Sequence, residues 1–415
     1  MTKIFIPNNK ITLVEFPKCA NIYINKGEIM ILNEIREKYE LVDLFCNLAE
    51  IPSPSLKEKK VSDWIMEYCK HHKIPCKYDN YENIYINIPA TDSTKQPILL
   101  SSHMDVIGDD SPVKTYLDGD FIRAEGRTLG ADDKAGVANA LYLAKWLVEN
   151  NLKHGGLEII FTRDEESGMS GIKHVDFSAI KSKYVLVCDS DSLGQLMTSG
   201  ASYTLATIEV NSFKGGHSGI DIADRTRENA AKLIADIVAN LPQGVYYSED
   251  RKVVTSCNIG GIISGNPDVT NVINTYGKAT YSIRSSSRKY EQELKDRMQF
   301  EVDEFNKEYD SIAKAELTFE EHLPPFEKVE DEYIPILFET AARKVGVTPE
   351  ISSFHAGAET HIYANNKNAD GQPFAPYLAG LATVCNMHSK EEYLDYKTLL
   401  KGQELLQEFF RSYNK

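Results

Sequence analysis

Acids and histidines recur in this 415-residue chain directly after short apolar runs. Ile98-Leu99-Leu100 leads into Ser102-His103-Met104-Asp105. His103 and Asp105 are two apart, so on an extended strand they share one side. There the carboxylate can orient the imidazole through its second nitrogen. Gly130-Ala131-Asp132-Asp133-Lys134-Ala135-Gly136 reads as a loop-to-helix junction. Adjacent aspartates at that place serve as helix caps or as ligands. Leu157-Glu158-Ile159-Ile160-Phe161-Thr162 precedes Arg163-Asp164-Glu165-Glu166-Ser167-Gly168. Three consecutive acids repel one another, and a cation relieves the repulsion. Val185-Leu186-Val187-Cys188 ends in Asp189-Ser190-Asp191, which offers two candidate ligands, Asp189 and Asp191. His388 supplies one more imidazole late in the chain.

Each segment alone has an ordinary structural use: an Asx turn, a helix cap or a solvated acidic turn. Their recurrence at strand ends favours chemistry, because ligands of open α/β sheets bind at the carboxyl ends of strands. Two histidines and three carboxylates suit two zinc ions sharing one carboxylate, with cobalt or manganese as alternatives. A further glutamate can act as general base, which completes the inventory of two-metal hydrolysis.

The surrounding pattern says what must hold these groups. Helical spacing covers 31–50 and 57–73, with Ser55 and Glu58 placed for a capping box between them. Strands are expected at 81–88, 97–102, 157–162 and 184–188, and a helix from about Asp133 to Asn150. This alternation predicts an α/β fold with a mixed, largely parallel sheet flanked by helices. From about 203 the order becomes strand, helix, two strands, helix, strand, a ferredoxin-like α+β unit. Because α/β character returns at about 325, the unit reads as an insertion. The expected division is 1–202 and 323–415 for the catalytic domain and 203–322 for an inserted lid or dimerisation domain. Residues 1 to about 30 read as short strands broken at Pro7, Pro17 and Gly27.

Composition narrows the class. Apolar residues at 42% and charged residues at 26% describe a globular chain. A net charge of −15 argues against nucleic acid and anionic lipid as partners. The polar start, Met1 to Lys10, lacks the apolar core of a signal peptide. No apolar run approaches the roughly 18 residues of a membrane span. The seven cysteines are scattered without a C-x-x-C pair, as in a cytoplasmic protein.

The ordered set S-H-M-D, G-A-D-D-K-A-G, D-E-E-S-G-M, C-D-S-D, G-G-H-S-G and H-S-x-x-E resembles the zinc exopeptidase family of peptidase T, aminoacyl-histidine dipeptidase and the acyl-amino-acid deacylases. The likeness spans roughly residues 95 to 395. It implies His103, Asp132, Glu166, Asp189 and His388 as metal ligands, with Asp132 bridging two ions. It implies Asp105 as the carboxylate orienting His103, Glu165 as general base towards a water between the ions, and a cis bond between Asp132 and Asp133. His217, in G-G-H-S-G, matches a histidine that dimeric relatives insert into the partner's site. Asn271 and Arg284 resemble other substrate-binding residues of the small domain, Arg284 one that reads a carboxylate. Phe354-His355-Ala356-Gly357-Ala358-Glu359 resembles the H-A-G-x-E of aminoacyl-histidine dipeptidases, which implies a substrate-binding Glu359. The expected activity is release of amino acids from short peptides by a cytoplasmic homodimer. The rivals are an N-acyl-amino-acid deacylase and a non-catalytic metal-binding scaffold.

Overall fold

The computed structural model describes residues 31–150, 152–249 and 253–415. The expected strands before residue 31 lie outside that set. An eight-stranded sheet forms the centre, in the spatial order Cys76–Tyr78, Ile84–Ile88, Leu157–Thr162, Ile98–His103, Tyr184–Val187, Ala375–Ala379, Gln195–Gly200 and Glu350–Phe354. The middle four strands run parallel, while Ile84–Ile88 and Gln195–Gly200 pair antiparallel with them. Strands Ile98–His103 and Leu157–Thr162 are buried at every position, which explains their continuous rather than alternating apolar pattern.

Helices cover this sheet. Ala131–Glu149 contributes Val137, Leu141, Ala144 and Leu147 to one large core shared with Glu40–Ala49 and Tyr396–Tyr413. The expected helix over 31–50 is two helices, Leu32–Lys38 and Glu40–Ala49, broken where Tyr39 turns extended (φ −127°, ψ 102°). The expected capping box does not form. Helix Lys59–His71 has Glu58 at its N-cap without a side-chain cap bond, because Ser55 and Glu58 are engaged elsewhere.

A second sheet of five antiparallel strands carries the ferredoxin-like order. Its strands lie as Gly244–Glu249, Val253–Ile263, Tyr276–Ser285, Tyr203–Ser212 and Ala313–Leu323. Helices Ala230–Asn240 and Arg288–Glu308 pack on one face, where Ile208, Ile283, Leu233 and Leu294 share a core separate from the first. The edge strand Gly244–Glu249 is an addition to the expected pattern. A small four-stranded sheet, Thr383–Cys385, Tyr393–Asp395, Phe121–Ala124 and Thr115–Asp118, was likewise not expected. Its first two strands flank the loop that bears His388. Among the described residues no helix is long and apolar enough to cross a membrane.

Candidate metal centre

Three neighbouring parallel strands deliver the acids and histidine to one place. His103 ends Ile98–His103, Glu165 and Glu166 follow Leu157–Thr162, and Asp189 follows Tyr184–Val187. Asp132 comes from the start of Ala131–Glu149, and its bond to Asp133 is cis. His388 enters from the loop beside the small sheet in a left-handed conformation, φ 61°.

Asp132 lies between the two imidazoles. Its Oδ1 is 3.1 Å from His103 Nε2, and its Oδ2 is 3.0 Å from His388 Nε2. Asp189 Oδ1 stands 3.6 Å from the same His103 nitrogen, and Glu166 Oε2 stands 3.1 Å from that of His388. Asp189 rather than Asp191 therefore faces the cluster; Asp191 is exposed and accepts a bond from Ser192. Ligand atoms of His103, Asp132 and Glu166 lie within 4.8 Å of one another.

Asp105 acts on both sides of this cluster. Its backbone carbonyl meets His103 Nδ1 at 3.0 Å, closer than its carboxylate at 3.4 Å. The carboxylate also accepts the backbone N–H of Glu165 and Glu166 and the hydroxyl of Ser55. Asp164, at φ 54°, turns the chain into the one-turn helix Glu165–Gly168. Glu58 holds that turn from below: its carboxylate accepts Asp164 N–H at 3.0 Å and pairs with Arg163 at 2.9 Å. Sequence reasoning missed the roles of Ser55 and Glu58. The only local signal was two polar residues spaced for a capping box.

The electrostatics fit divalent cations. Burial pushes the Glu165 carboxyl well up, and Asp189, Glu359 and Glu166 add to that against the pull of His103. Burial, then Asp132, raises Glu166 to about 7. Burial likewise raises Asp189. For Asp132 burial is outweighed by hydrogen bonds from His103 and His388, which hold it well below the usual carboxylate range. Glu166 Oε1 is buried and has no hydrogen-bond partner among the described residues. A crowded set of carboxylates with an orphaned oxygen, mixed with imidazole nitrogens, is a donor set for zinc-like ions.

Of the other expected site residues, Glu359 lies near enough to the cluster to act on Glu165, whereas His217, Asn271 and Arg284 make no contact with it among the described residues. His217 is exposed on the two-stranded piece Gly216–His217 and Val272–Ile273, and the exposed Asn271 directly precedes its second strand, its carbonyl accepting Ser218 N–H. Arg284 stacks over Tyr203 at 4.8 Å and makes no ion pair among the described residues. Glu359 is 1% exposed, its Oε2 accepting from Ser101 at 3.0 Å. It sits within the sheet's polar packing, not on an open surface.

Known peptidases are similar to this chain in sequence and in fold. The profile of peptidase family M20/M25/M40 matches residues 99–412. The chain is 29% identical over 229 residues to the cytosol non-specific dipeptidase of Escherichia coli, covering 48% of this chain and 46% of that protein. It is 26% identical over 305 residues to peptidase T of Bacillus mycoides, covering 72% and 69%. The fold is similar to the crystal structure of aminopeptidase PepT from Bacillus cereus, with a TM-score of 0.80, 24% identity, and coverage of 90% and 98%. The chain belongs to peptidase family M20/M25/M40 and is an enzyme of the metallo-exopeptidase kind.

Proposed function

We propose that this enzyme releases amino acids from short peptides by two-metal hydrolysis, as a peptidase T-like aminopeptidase or dipeptidase. The observation that carries the reading is the Asp132 carboxylate, which offers one oxygen beside His103 and the other beside His388. His103 and Asp189 would hold one ion, Glu166 and His388 the other, and Asp132 both. Zinc fits the mixed imidazole and carboxylate set, with cobalt and manganese as alternatives. When bound, the ions would polarise a water and the scissile carbonyl.

Glu165 takes the proton from the attacking water and returns it to the leaving amine. Burial raises the Glu165 carboxyl above the ordinary carboxylate range, which favours its holding the proton between the two halves of that transfer. Asp105 keeps the His103 ring fixed through its carbonyl and keeps Glu165 aimed through its carboxylate. Arg284, without an acidic partner among the described residues, binds a substrate carboxylate. His217, exposed on the inserted unit, reaches the site of a second copy in a homodimer, and Asn271 beside it takes part in substrate binding. Glu359 supports substrate binding from beneath the pocket. The division into 1–202, 203–322 and 323–415, and a cytoplasmic location, belong to the same reading.

A panel of di- and tripeptides against N-acetyl amino acids, read by mass spectrometry with metal content measured in parallel, tests it. Turnover of peptides by protein holding two ions per chain supports the proposal. Exclusive turnover of N-acetyl amino acids replaces it with a deacylase.

A further inference from the structure

Helix Ala131–Glu149 is kinked near its start: Asp132 (φ −81°, ψ 108°) and Asp133 (φ −113°, ψ 33°) are non-helical, and the Asp133 carboxylate caps the regular helix beyond them by accepting Gly136 N–H at 3.1 Å. Gly130, at φ 72°, leads into the kinked segment and has no side chain to meet its N–H groups. Those donors are nevertheless satisfied, by a carboxylate from the far end of the chain. Glu392 is 1% exposed. Its Oε1 accepts Ala131 N–H at 2.8 Å and Asp132 N–H at 3.4 Å. Its Oε2 accepts Gly130 N–H at 3.0 Å and the Thr128 hydroxyl. One carboxylate thus meets three consecutive backbone N–H groups of the kinked segment.

The position of Glu392 ties this contact to the His388 loop as well. Glu392 lies four residues after His388, in a turn where its own N–H bonds to the Ser389 carbonyl at 3.2 Å. Asn386 and His388 both adopt left-handed backbone, at φ 55° and 61°, so the loop needs an outside hold to stay in this shape. All four contacts of the Glu392 carboxylate go to residues 128–132, the segment that ends in Asp132. We infer that Glu392 is a positioning residue that ties the His388 loop to the Asp132 backbone and so sets the His388 half of the metal centre. It holds His388 Nε2 3.0 Å from Asp132 Oδ2 without itself touching an ion or substrate. His103 ends its own strand, Asp189 follows the neighbouring one, and neither is bonded to Glu392.

This inference rests on the two-ion reading. Stripped protein is titrated with Zn2+ by calorimetry, for wild type, Glu392→Gln, Glu392→Ala and His388→Ala, with thermal unfolding of each recorded. Glu392→Gln keeps one acceptor oxygen and guards against a misfolded Ala variant. The expected result is that Glu392→Gln weakens one ion about 10- to 100-fold, the range for residues supporting a ligand, and leaves the other within about threefold. The weakened ion is the one that His388→Ala removes. Equal weakening of both ions makes Glu392 a general support of segment 128–132 and overturns the inference, as does unchanged binding of both. A wild type that takes only one ion overturns the two-ion reading, and this inference with it.

Discussion

The carboxylate of Asp105 accepts the backbone N–H of Glu165 at 2.9 Å, and its second oxygen accepts that of Glu166 at 3.1 Å. One side chain therefore fixes the backbone of both the proposed base and a proposed ligand, while its carbonyl orients His103. Burial opposes charge on Asp105, but hydrogen bonds from His103, Glu165 and Ser55 hold its pKa below the usual value, so it stays an acceptor.

Replacing Asp105 by Asn tests that double duty. Asn keeps the carbonyl to His103 but offers one side-chain acceptor where two N–H groups and a hydroxyl now bind. The expected loss is about 10- to 100-fold in kcat, with KM little changed, since the proposed base is misaimed rather than removed. Ser55→Ala should cost less. Steady-state kinetics with metal analysis checks this; an Asn variant of full kcat would sink the assignment.

Glu165→Gln separates proton transfer from ion binding. The variant should take up both ions yet lose about 100- to 10,000-fold in kcat. Elemental analysis beside peptide turnover decides it. If the Gln variant loses metal as well, Glu165 is a ligand and not the base.

Much of this arrangement was legible in the sequence, and the reasons are local. Strands such as Ile98–His103 and Leu157–Thr162 announce themselves as continuous apolar runs, and the acids follow directly at their ends. What was not legible depends on distance along the chain. Ser55 reads as a capping residue until the fold brings Asp105, fifty residues on, to its hydroxyl. The break at Tyr39 has no proline or glycine to mark it. The small sheet pairs Tyr393–Asp395 with Phe121–Ala124, segments too short and too far apart for periodicity to reveal. The Glu359 motif marks a residue of interest, but its bond to Ser101, 258 residues away in the chain, is set by packing alone.

Removing metal should abolish turnover and lower stability together. Without cations Asp132, Asp189, Glu165 and Glu166 crowd one site with charges that repel. Chelator treatment should lower Tm, and added Zn2+, Co2+ or Mn2+ should restore both Tm and activity. An ion at a hundredfold over its Kd adds about 2.7 kcal/mol. Differential scanning calorimetry with and without chelator measures it, and an unchanged Tm with full activity contradicts the metal centre.

Gly136 tests how tightly the Asp132 helix must approach the strand ends. A Cβ there would stand 2.3 Å from Asp133 Oδ1 and 2.7 Å from both the Cys188 carbonyl and Ser102 Oγ. The Cys188 carbonyl is backbone next to Asp189, so relief would move a proposed ligand. Gly136→Ala should cost about 1–3 kcal/mol and weaken ion binding. Urea unfolding of the two proteins gives the first figure; equal stability would mean that the helix can shift freely.

Away from the metal centre, His361 sets a pH dependence of stability. It is buried against Gly200 and Phe326, with Nε2 3.0 Å from the Ala201 carbonyl and Nδ1 accepting the Ala358 N–H at 3.3 Å. Burial lowers its pKa to about 4, outweighing the backbone bonds, and the charge of Arg284 adds to the lowering. The folded ring is thus neutral, whereas the unfolded ring protonates near pH 6.5. Below that value the unfolded state binds the extra proton, so stability falls as pH drops from about 6.5 towards 4 and is fully present above 6.5. The loss amounts to about 3 kcal/mol at roughly 1.4 kcal/mol per pKa unit. His361→Gln keeps an amide donor for the Ala201 carbonyl but cannot titrate, so its stability should fall less over that window. Urea unfolding of both proteins at intervals between pH 4 and 7 tests this, and parallel curves would show that His361 is not the group responsible.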